Sequence, residues 1–107
     1  MTIEIRPIGN DDVAWVCKFS LREFNATRVV SRGVLHQVDL LPGFVALLNN
    51  VPSGLLTYRV AHGEMEVVTL NAAVLGQGLG SRLLEAARSQ AAALGCRRLW
   101  LITTNDN

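Results

Sequence analysis

The chain has few of the residues that build metal sites and basic surfaces. Its 107 residues include two cysteines, two histidines and a single lysine. Cys17 and Cys96 lie far apart without a CxxC spacing, and His36 and His62 stand alone, so we expect no metal site and interpret the cysteines as small buried side chains. Ten basic residues balance nine acidic ones, which argues against a nucleic-acid-binding face.

A long uninterrupted apolar segment is also missing. No stretch approaches the ~20 apolar residues that cross a membrane, and residues 1–12 carry neither a cationic leader nor an apolar run. We therefore expect a soluble, cytoplasmic protein with no membrane partner. The composition, 50% hydrophobic and 18% charged, is typical of globular proteins. The length predicts one domain over residues 1–107 with one core.

The first part of the chain predicts a strand, a helix and an irregular segment. Polarity alternates over residues 2–6, as in a half-buried strand. Asn10 or Asp11 is expected to cap a helix over about residues 12–24, where apolar residues recur on one side. A loop then leads to a short helix predicted over residues 35–41.

The second part predicts a mixed sheet. The runs FVALLNN, GLLTYRVA and EMEVVTLNA are separated by the turn formers NNVPSG and HG, which predicts an antiparallel meander. A helix and the short apolar strand RRLWLITT follow, and a strand after such a crossover returns parallel. The fold class is therefore α/β (α+β). The predicted apolar stripe of the helix is Leu79, Leu83, Ala87, Ala91 and Leu94, with Gly95 ending it.

Three glycines, Gly76, Gly78 and Gly80, precede this helix. Glycines let a ligand approach the backbone, and the first N–H groups of a helix favour an anion such as pyrophosphate. An equally weighted interpretation is that the glycines only make a tight turn and let the helix pack close to the sheet. The segment has no lysine, which argues against a Walker loop, and its spacing departs from the dinucleotide fingerprint.

The segment GQGLGSRLLEAARSQAAALGCRRLWLITTNDN is similar to the glycine loop, helix, Gly-Cys turn and strand of the GNAT superfamily of N-acetyltransferases. The order of elements over nearly the whole chain also resembles this family. The resemblance implies that the loop backbone binds the pyrophosphate of acetyl-CoA, the acetyl donor, and that the preceding strand pairs with the pantetheine arm. The residues implied are Leu70, Ala72, Gln77, Gly78, Leu79, Gly80, Ser81 and Asn107.

Two features depart from the family pattern. Leu75 stands where an Arg or Gln is common. Family members usually continue with a helix that Asn107 would open and that carries the Tyr which typically protonates the departing thiolate; the given sequence stops at Asn107. Tyr58, the only tyrosine, is on another predicted strand and cannot take that role by position.

Acetyl transfer to an amine requires a base and a donor for the developing oxyanion. Glu64 and Glu66 share one face of the predicted strand, and Glu66 is the first choice as base. The alternative interpretation is that both are solvent-facing strand residues beside the hairpin turn; this alternative is slightly favoured for Glu64 and equally weighted for Glu66. The resemblance implies an oxyanion donor at a backbone amide near Leu70 or Asn71.

Five other side chains are interpreted as surface or core residues rather than as parts of a binding site. Arg28, Arg32 and His36 lie where family members line the acceptor site, which would suit an acceptor with a carboxylate, but we prefer to interpret them as surface residues. Trp15 and Trp100 lie in apolar stretches and are interpreted as core residues.

The predicted function is acetyl-CoA-dependent transfer of an acetyl group to a primary amine of a small molecule or peptide. The alternative is a non-catalytic CoA-binding or protein-interaction module derived from a shortened acetyltransferase. A weaker third hypothesis is a nucleotide-binding regulatory domain. The unpaired edge of the strand at 97–104 also predicts a homodimer.

Overall fold

A computed structural model of the chain describes residues 2–24, 28–31, 34–37, 41–74 and 76–101, with no side chains described over 23–40. Two helices and seven strands cover most of these residues. In chain order they are β1 (Ile3–Pro7), α1 (Val13–Phe24), β2 (Arg28–Ser31), β3 (Val34–Gln37), β4 (Gly43–Leu48), β5 (Val51–Ala61), β6 (Glu64–Ala72), α2 (Leu79–Ala93) and β7 (Arg98–Leu101).

The main sheet has five strands in the order β1-β4-β5-β6-β7. Every neighbouring pair is antiparallel except β6 and β7, which are parallel. The predicted mixed sheet, with a meander followed by a parallel strand, is therefore confirmed. Its parallel pair follows from the α2 crossover, because a helix between two strands returns the chain to the same end of the sheet.

The helix predicted over residues 35–41 is wrong. Strands β2 and β3 form a separate antiparallel hairpin, in which Arg28 lies opposite Gln37 and Ser31 opposite Val34. Val29 and Val30 favour a strand because β-branched side chains fit the pleated backbone, and pairing with β3 then outweighs the weak helical spacing. Residues 38–40 lie outside the described residues.

Two-residue turns connect the strands of the meander. Asn49 and Asn50 have φ of 52° and 68°, and His62 and Gly63 have φ of 56° and 72°. Positive φ at both central residues is typical of the hairpin turn whose twist matches the strands. The first turn is shorter than predicted, because residues 51–54 already belong to β5.

The two helices cover opposite faces of the main sheet. On one face, the predicted stripe of α2 packs against Phe44, Leu56, Met65 and Val67, although Leu94 is exposed beyond the end of the helix. On the other face, α1 contributes two fully buried side chains to a second cluster. That cluster consists of Val16, Phe19, Leu55 and Val68. We call these the α2 face and the α1 face.

The connection from β1 to α1 is held by Asp12 rather than by the predicted cap at Asn10 or Asp11. A short 3-10 turn over Asn10–Asp12 precedes α1. The buried Asp12 carboxylate accepts hydrogen bonds from both Arg6 Nη atoms at 2.8 and 3.0 Å and from the Gly9 N–H at 2.8 Å. It therefore ties the strand, the turn and the helix together. None of the helices in the described part of the chain has the length and apolarity needed to span a membrane.

Candidate functional site

The glycine loop ends at the first residue of α2. Gly76 and Gly78 have φ of 81° and 77°, a conformation that favours glycine, and Gly78 is the residue that precedes the helix. A Cβ added at Gly76, Gly78 or Gly80 would meet no heavy atom within 4 Å in the described structure. The tight turn therefore accounts for the first two glycines, whereas close packing against the sheet accounts for none of the three.

The backbone amides at the start of α2 are available to a ligand. The Arg82 N–H donates to the Gly78 carbonyl at 3.1 Å, which begins the helical hydrogen bonds. The amides of Leu79, Gly80 and Ser81 precede that bond and have no acceptor within the helix. Among the described residues no side chain caps this end, and the first turn of the helix contains no acidic residue. The partial positive charge of the helix terminus is thus not neutralised by its own first turn, which favours an anion.

Strand β6 extends past its described pairing with β7, on the side of the sheet next to this loop. Their pairing extends from Glu64 opposite Arg98 to Val67 opposite Leu101, while β6 itself continues to Ala72. Thr57 lies opposite Thr69 and Tyr58 opposite Val67, so Val68 is an extra residue in β6. Such a bulge re-aims the local backbone. It lies directly after Val67, the last β6 residue whose pairing with β7 is described.

Leu70 and Ala72 lie in the part of β6 beyond Val67. The neighbouring Ala73 N–H donates to the Ser53 carbonyl at 2.7 Å, on the β5 side. Because peptide groups alternate in direction along a strand, those of Leu70 and Ala72 point away from β5. The Ala72 N–H donates to Asn71 Oδ1 at 2.9 Å, so this donor already has an acceptor.

Glu66 is a buried carboxylate on the α1 face. Its neighbours Met65 and Val67 belong to the α2 face, and side chains alternate along a strand. Its side chain is 4% exposed, and Oε1 lies 3.6 Å from Nη1 of Arg59, which is 34% exposed. The interpretation of Glu66 as a solvent-facing residue is therefore wrong.

Glu64 lies on the same face, two residues earlier, in a different electrostatic setting. Its Oε2 is 3.3 Å from Arg97 Nη2 and 3.8 Å from Arg98 Nη1, and both arginine side chains are exposed. The Glu64 side chain itself is 20% exposed. These contacts tie the start of β6 to the start of β7, a structural role that sets Glu64 apart from Glu66.

Of the remaining predicted residues, the structure describes the side chain of Tyr58 alone. Asn107 lies outside the described residues, as do the side chains of Arg28, Arg32 and His36. Tyr58 is buried on the α2 face, where its ring stacks with Phe44 at 6.2 Å between centroids.

Sequence reasoning missed two features of the site. The first is the bulge at Val68, which no composition signal marks. The second is Arg59, which lies opposite Glu66 in the β5–β6 register. The short His62–Gly63 turn could have revealed Arg59, because a two-residue hairpin determines which residues lie opposite one another.

Comparison with known proteins identifies the family. The model of the Acetyltransferase (GNAT) family matches residues 12–107. The uncharacterized protein YdhI of Bacillus subtilis (strain 168) is 31% identical over 107 aligned residues, which cover 94% of this chain and 64% of that protein. The chain therefore spans slightly less than two thirds of the length of this curated relative.

Solved structures share the fold. A ribosomal-protein-alanine N-acetyltransferase from Brucella melitensis biovar Abortus 2308 has a TM-score of 0.77 at 12% identity, covering 96% of this chain and 81% of that one. The aminoglycoside N-acetyltransferase AAC(6')-Iy in complex with CoA has a TM-score of 0.68 at 13% identity, covering 96% and 78%. The described sheet, the glycine loop before α2 and the match of the family model together show that this chain belongs to the GNAT family of acetyltransferases.

Proposed function

We propose that residues 1–107 form one acetyl-CoA-binding domain that transfers an acetyl group to a primary amine. The observation that carries this proposal is the open backbone at the start of α2. Gly80 has helical backbone geometry, and a Cβ there would meet no heavy atom within 4 Å of the described structure. A glycine that neither the turn nor the packing requires is explained by a ligand that approaches the backbone closely.

The pyrophosphate of acetyl-CoA binds the loop. Its negative charge suits the amides of the first helical turn, and the Ser81 hydroxyl is exposed beside them. The residues that we assign to this contact are Gln77, Gly78, Leu79, Gly80 and Ser81. The pantetheine arm lies along β6 on the side that faces away from β5, where Leu70 offers both its N–H and its carbonyl, and Ala72 offers its carbonyl. The crystal structure of the structural neighbour AAC(6')-Iy in complex with CoA supports this choice of donor.

Glu66 is the base that accepts a proton from the amine, directly or through a water molecule. Acetyl-CoA supplies the acetyl group as a thioester. The backbone at the bulge beside Val68 stabilises the negative charge that develops on the carbonyl oxygen, because a bulge re-aims the local amides away from the regular ladder. This position is near the amides of Leu70 and Asn71 that the family resemblance implies.

The acceptor is an amine of a small molecule or a peptide. Both kinds occur among the structural neighbours, one named for aminoglycosides and another for the alanine of a ribosomal protein. Their low identity supports the fold alone, so the choice between the two kinds rests on experiment. The cytoplasmic location stays a prediction from the sequence.

Thiol release from acetyl-CoA in the presence of a panel of amines tests the catalytic proposal. We expect Glu66→Gln to lower kcat about 10²–10⁴-fold, the usual contribution of a positioned base. Glu64→Gln is the matched control, since it changes the same functional group on the same face two residues away; we expect less than about a threefold effect. Tight CoA binding without thiol release for any amine would favour the non-catalytic module instead.

A homodimer is a separate proposal. β7 is the edge strand of the described sheet, and a free strand edge invites pairing with a second chain. We expect light scattering to give twice the monomer mass at high protein concentration. A monomer mass at all concentrations would contradict the dimer without affecting the proposed chemistry.

A further inference from the structure

Arg59 has hydrogen-bonding capacity that its ion pair does not use. The 3.6 Å between its Nη1 and Glu66 Oε1 exceeds the length of an N–H···O hydrogen bond. The described residues give Arg59 no other ion pair and no hydrogen bond, although a guanidinium carries five N–H donors in a planar fork. A half-buried arginine with free donors is suited to bind a carboxylate at two points.

The N–H donors of Arg59 lie next to Glu66, the proposed catalytic base. Arg59 lies opposite Glu66 in the β5–β6 register, and Glu66 lies opposite Trp100 in the β6–β7 register. Paired residues project from the same face of a sheet, so the three side chains form one row on the α1 face. Glu66 lies two residues before the bulge at Val68, whose backbone is proposed to stabilise the oxyanion.

Exposure within the pair indicates which charge meets an acceptor first. The Glu66 side chain is 4% exposed, whereas that of Arg59 is 34% exposed. An approaching molecule therefore meets a positive group beside the buried base. The other arginines described next to these strands, Arg97 and Arg98, are paired with Glu64.

We propose that Arg59 binds a carboxylate of the acetyl acceptor, so that the acceptor class is amino acids rather than simple amines. This inference rests on the proposed function, because it takes the bound amine to be the acetyl acceptor. The amine lies at Glu66 and the carboxylate at Arg59. Since the two protein groups are 3.6 Å apart, one hydrogen bond of about 2.9 Å on each side places the amine nitrogen and the carboxylate oxygen no more than about 9 Å from one another.

The amino and carboxylate groups of α-, β- and γ-amino acids all lie closer together than this upper bound, so each of these classes can reach both protein groups. Their opposite charges also match the pair, because the amino group meets the carboxylate of Glu66 and the carboxylate meets the guanidinium of Arg59. A simple amine leaves the free donors of Arg59 unused. An amide of the same amino acid keeps the shape of the molecule but removes its negative charge.

Direct binding measurements test the assignment without requiring turnover. Isothermal titration calorimetry in the presence of CoA compares glycine, β-alanine, 4-aminobutanoate and a set of larger L-amino acids with their amides. We expect at least one amino acid to bind about tenfold to a hundredfold more tightly than its amide. Arg59→Gln should abolish that preference, and Arg59→Lys should retain part of it, because Lys keeps the charge but not the fork.

Two comparisons keep the outcome unambiguous. Arg88→Gln removes an exposed arginine of α2 and should leave the preference unchanged. Arg59→Lys keeps a cation beside Glu66, so it still reports binding if Arg59→Gln is poorly folded. Equal binding of every acid and its amide to the unmodified protein, or an equal loss for acid and amide in the variants, would overturn the proposal. A preference that depends on Arg59, without thiol release from acetyl-CoA, would refute the proposed catalysis and leave the amino-acid site standing.

Discussion

Gly80 is a residue at which stability and ligand binding favour different side chains. Helical backbone at this position is better served by alanine, since glycine loses more conformational freedom on folding. We expect Gly80→Ala to raise the free energy of unfolding by about 0.5–1 kcal/mol. The same methyl group lies where pyrophosphate approaches the backbone, so we expect CoA affinity to fall about tenfold or more. Chemical denaturation and calorimetric titration measure the two effects.

Ser89→Ala is the control for this substitution. Ser89 is an exposed residue in the second half of α2, so its replacement improves helix propensity without touching the loop. CoA affinity should not change. If Gly80→Ala bound CoA as tightly as the original protein, the loop backbone would not be the pyrophosphate site.

Glu66 shows what local sequence reveals about a single residue and what it does not. Alternation along β6 correctly predicts that Glu64 and Glu66 share a face. Burial of Glu66 beside Arg59 depends on the pairing of β5 with β6 and on what covers that face, and neither is a property of the segment EMEVV. The two carboxylates look equivalent in sequence and differ in the folded protein for this reason.

The connection between β1 and α1 depends on one side chain. We expect Asp12→Ala to lower the free energy of unfolding by about 2–3 kcal/mol, since it leaves Arg6 without its partner and the Gly9 N–H without its acceptor. Urea denaturation followed by circular dichroism measures this change.

Asp11→Ala is the matched control at the adjacent position. Asp11 is exposed and carries the same charge, so its loss should change stability by less than about 0.5 kcal/mol. Equal effects of the two substitutions would mean that net charge, and not the contacts of Asp12, stabilises this end of the chain.

The hairpin of β2 and β3 could not be predicted from the local sequence. Residues 28–37 have no clear period, and the strands form because each supplies the hydrogen-bonding partner of the other. By contrast, α2 has four buried residues spaced four apart, Leu79, Leu83, Ala87 and Ala91, so its position follows directly from the sequence.

Ligand binding should stabilise the whole molecule. A ligand at a hundred times its dissociation constant adds about 2.7 kcal/mol, which raises the Tm of a domain of this size by about 10–20 °C. We expect CoA to produce this shift in a thermal melt. Pantetheine is the matched control: it retains the arm that lies along β6 but lacks the pyrophosphate, and at equal concentration its shift should be much smaller. Equal shifts would contradict the assignment of the loop.

The sequence alone determined the order of the elements of the main sheet, the crossover through α2 and the glycine loop, because hydrophobic period, turn residues and glycine spacing are local properties. Only the tertiary structure decided where β6 bulges, which residues of β6 and β7 lie opposite one another, and that Glu66 is buried beside Arg59. These features depend on the register between strands, which is set by contacts across the sheet. The glycine loop that is proposed to bind acetyl-CoA can thus be recognised in the sequence. The pair of Arg59 and Glu66 that is proposed to bind the acceptor forms only when the strands pair.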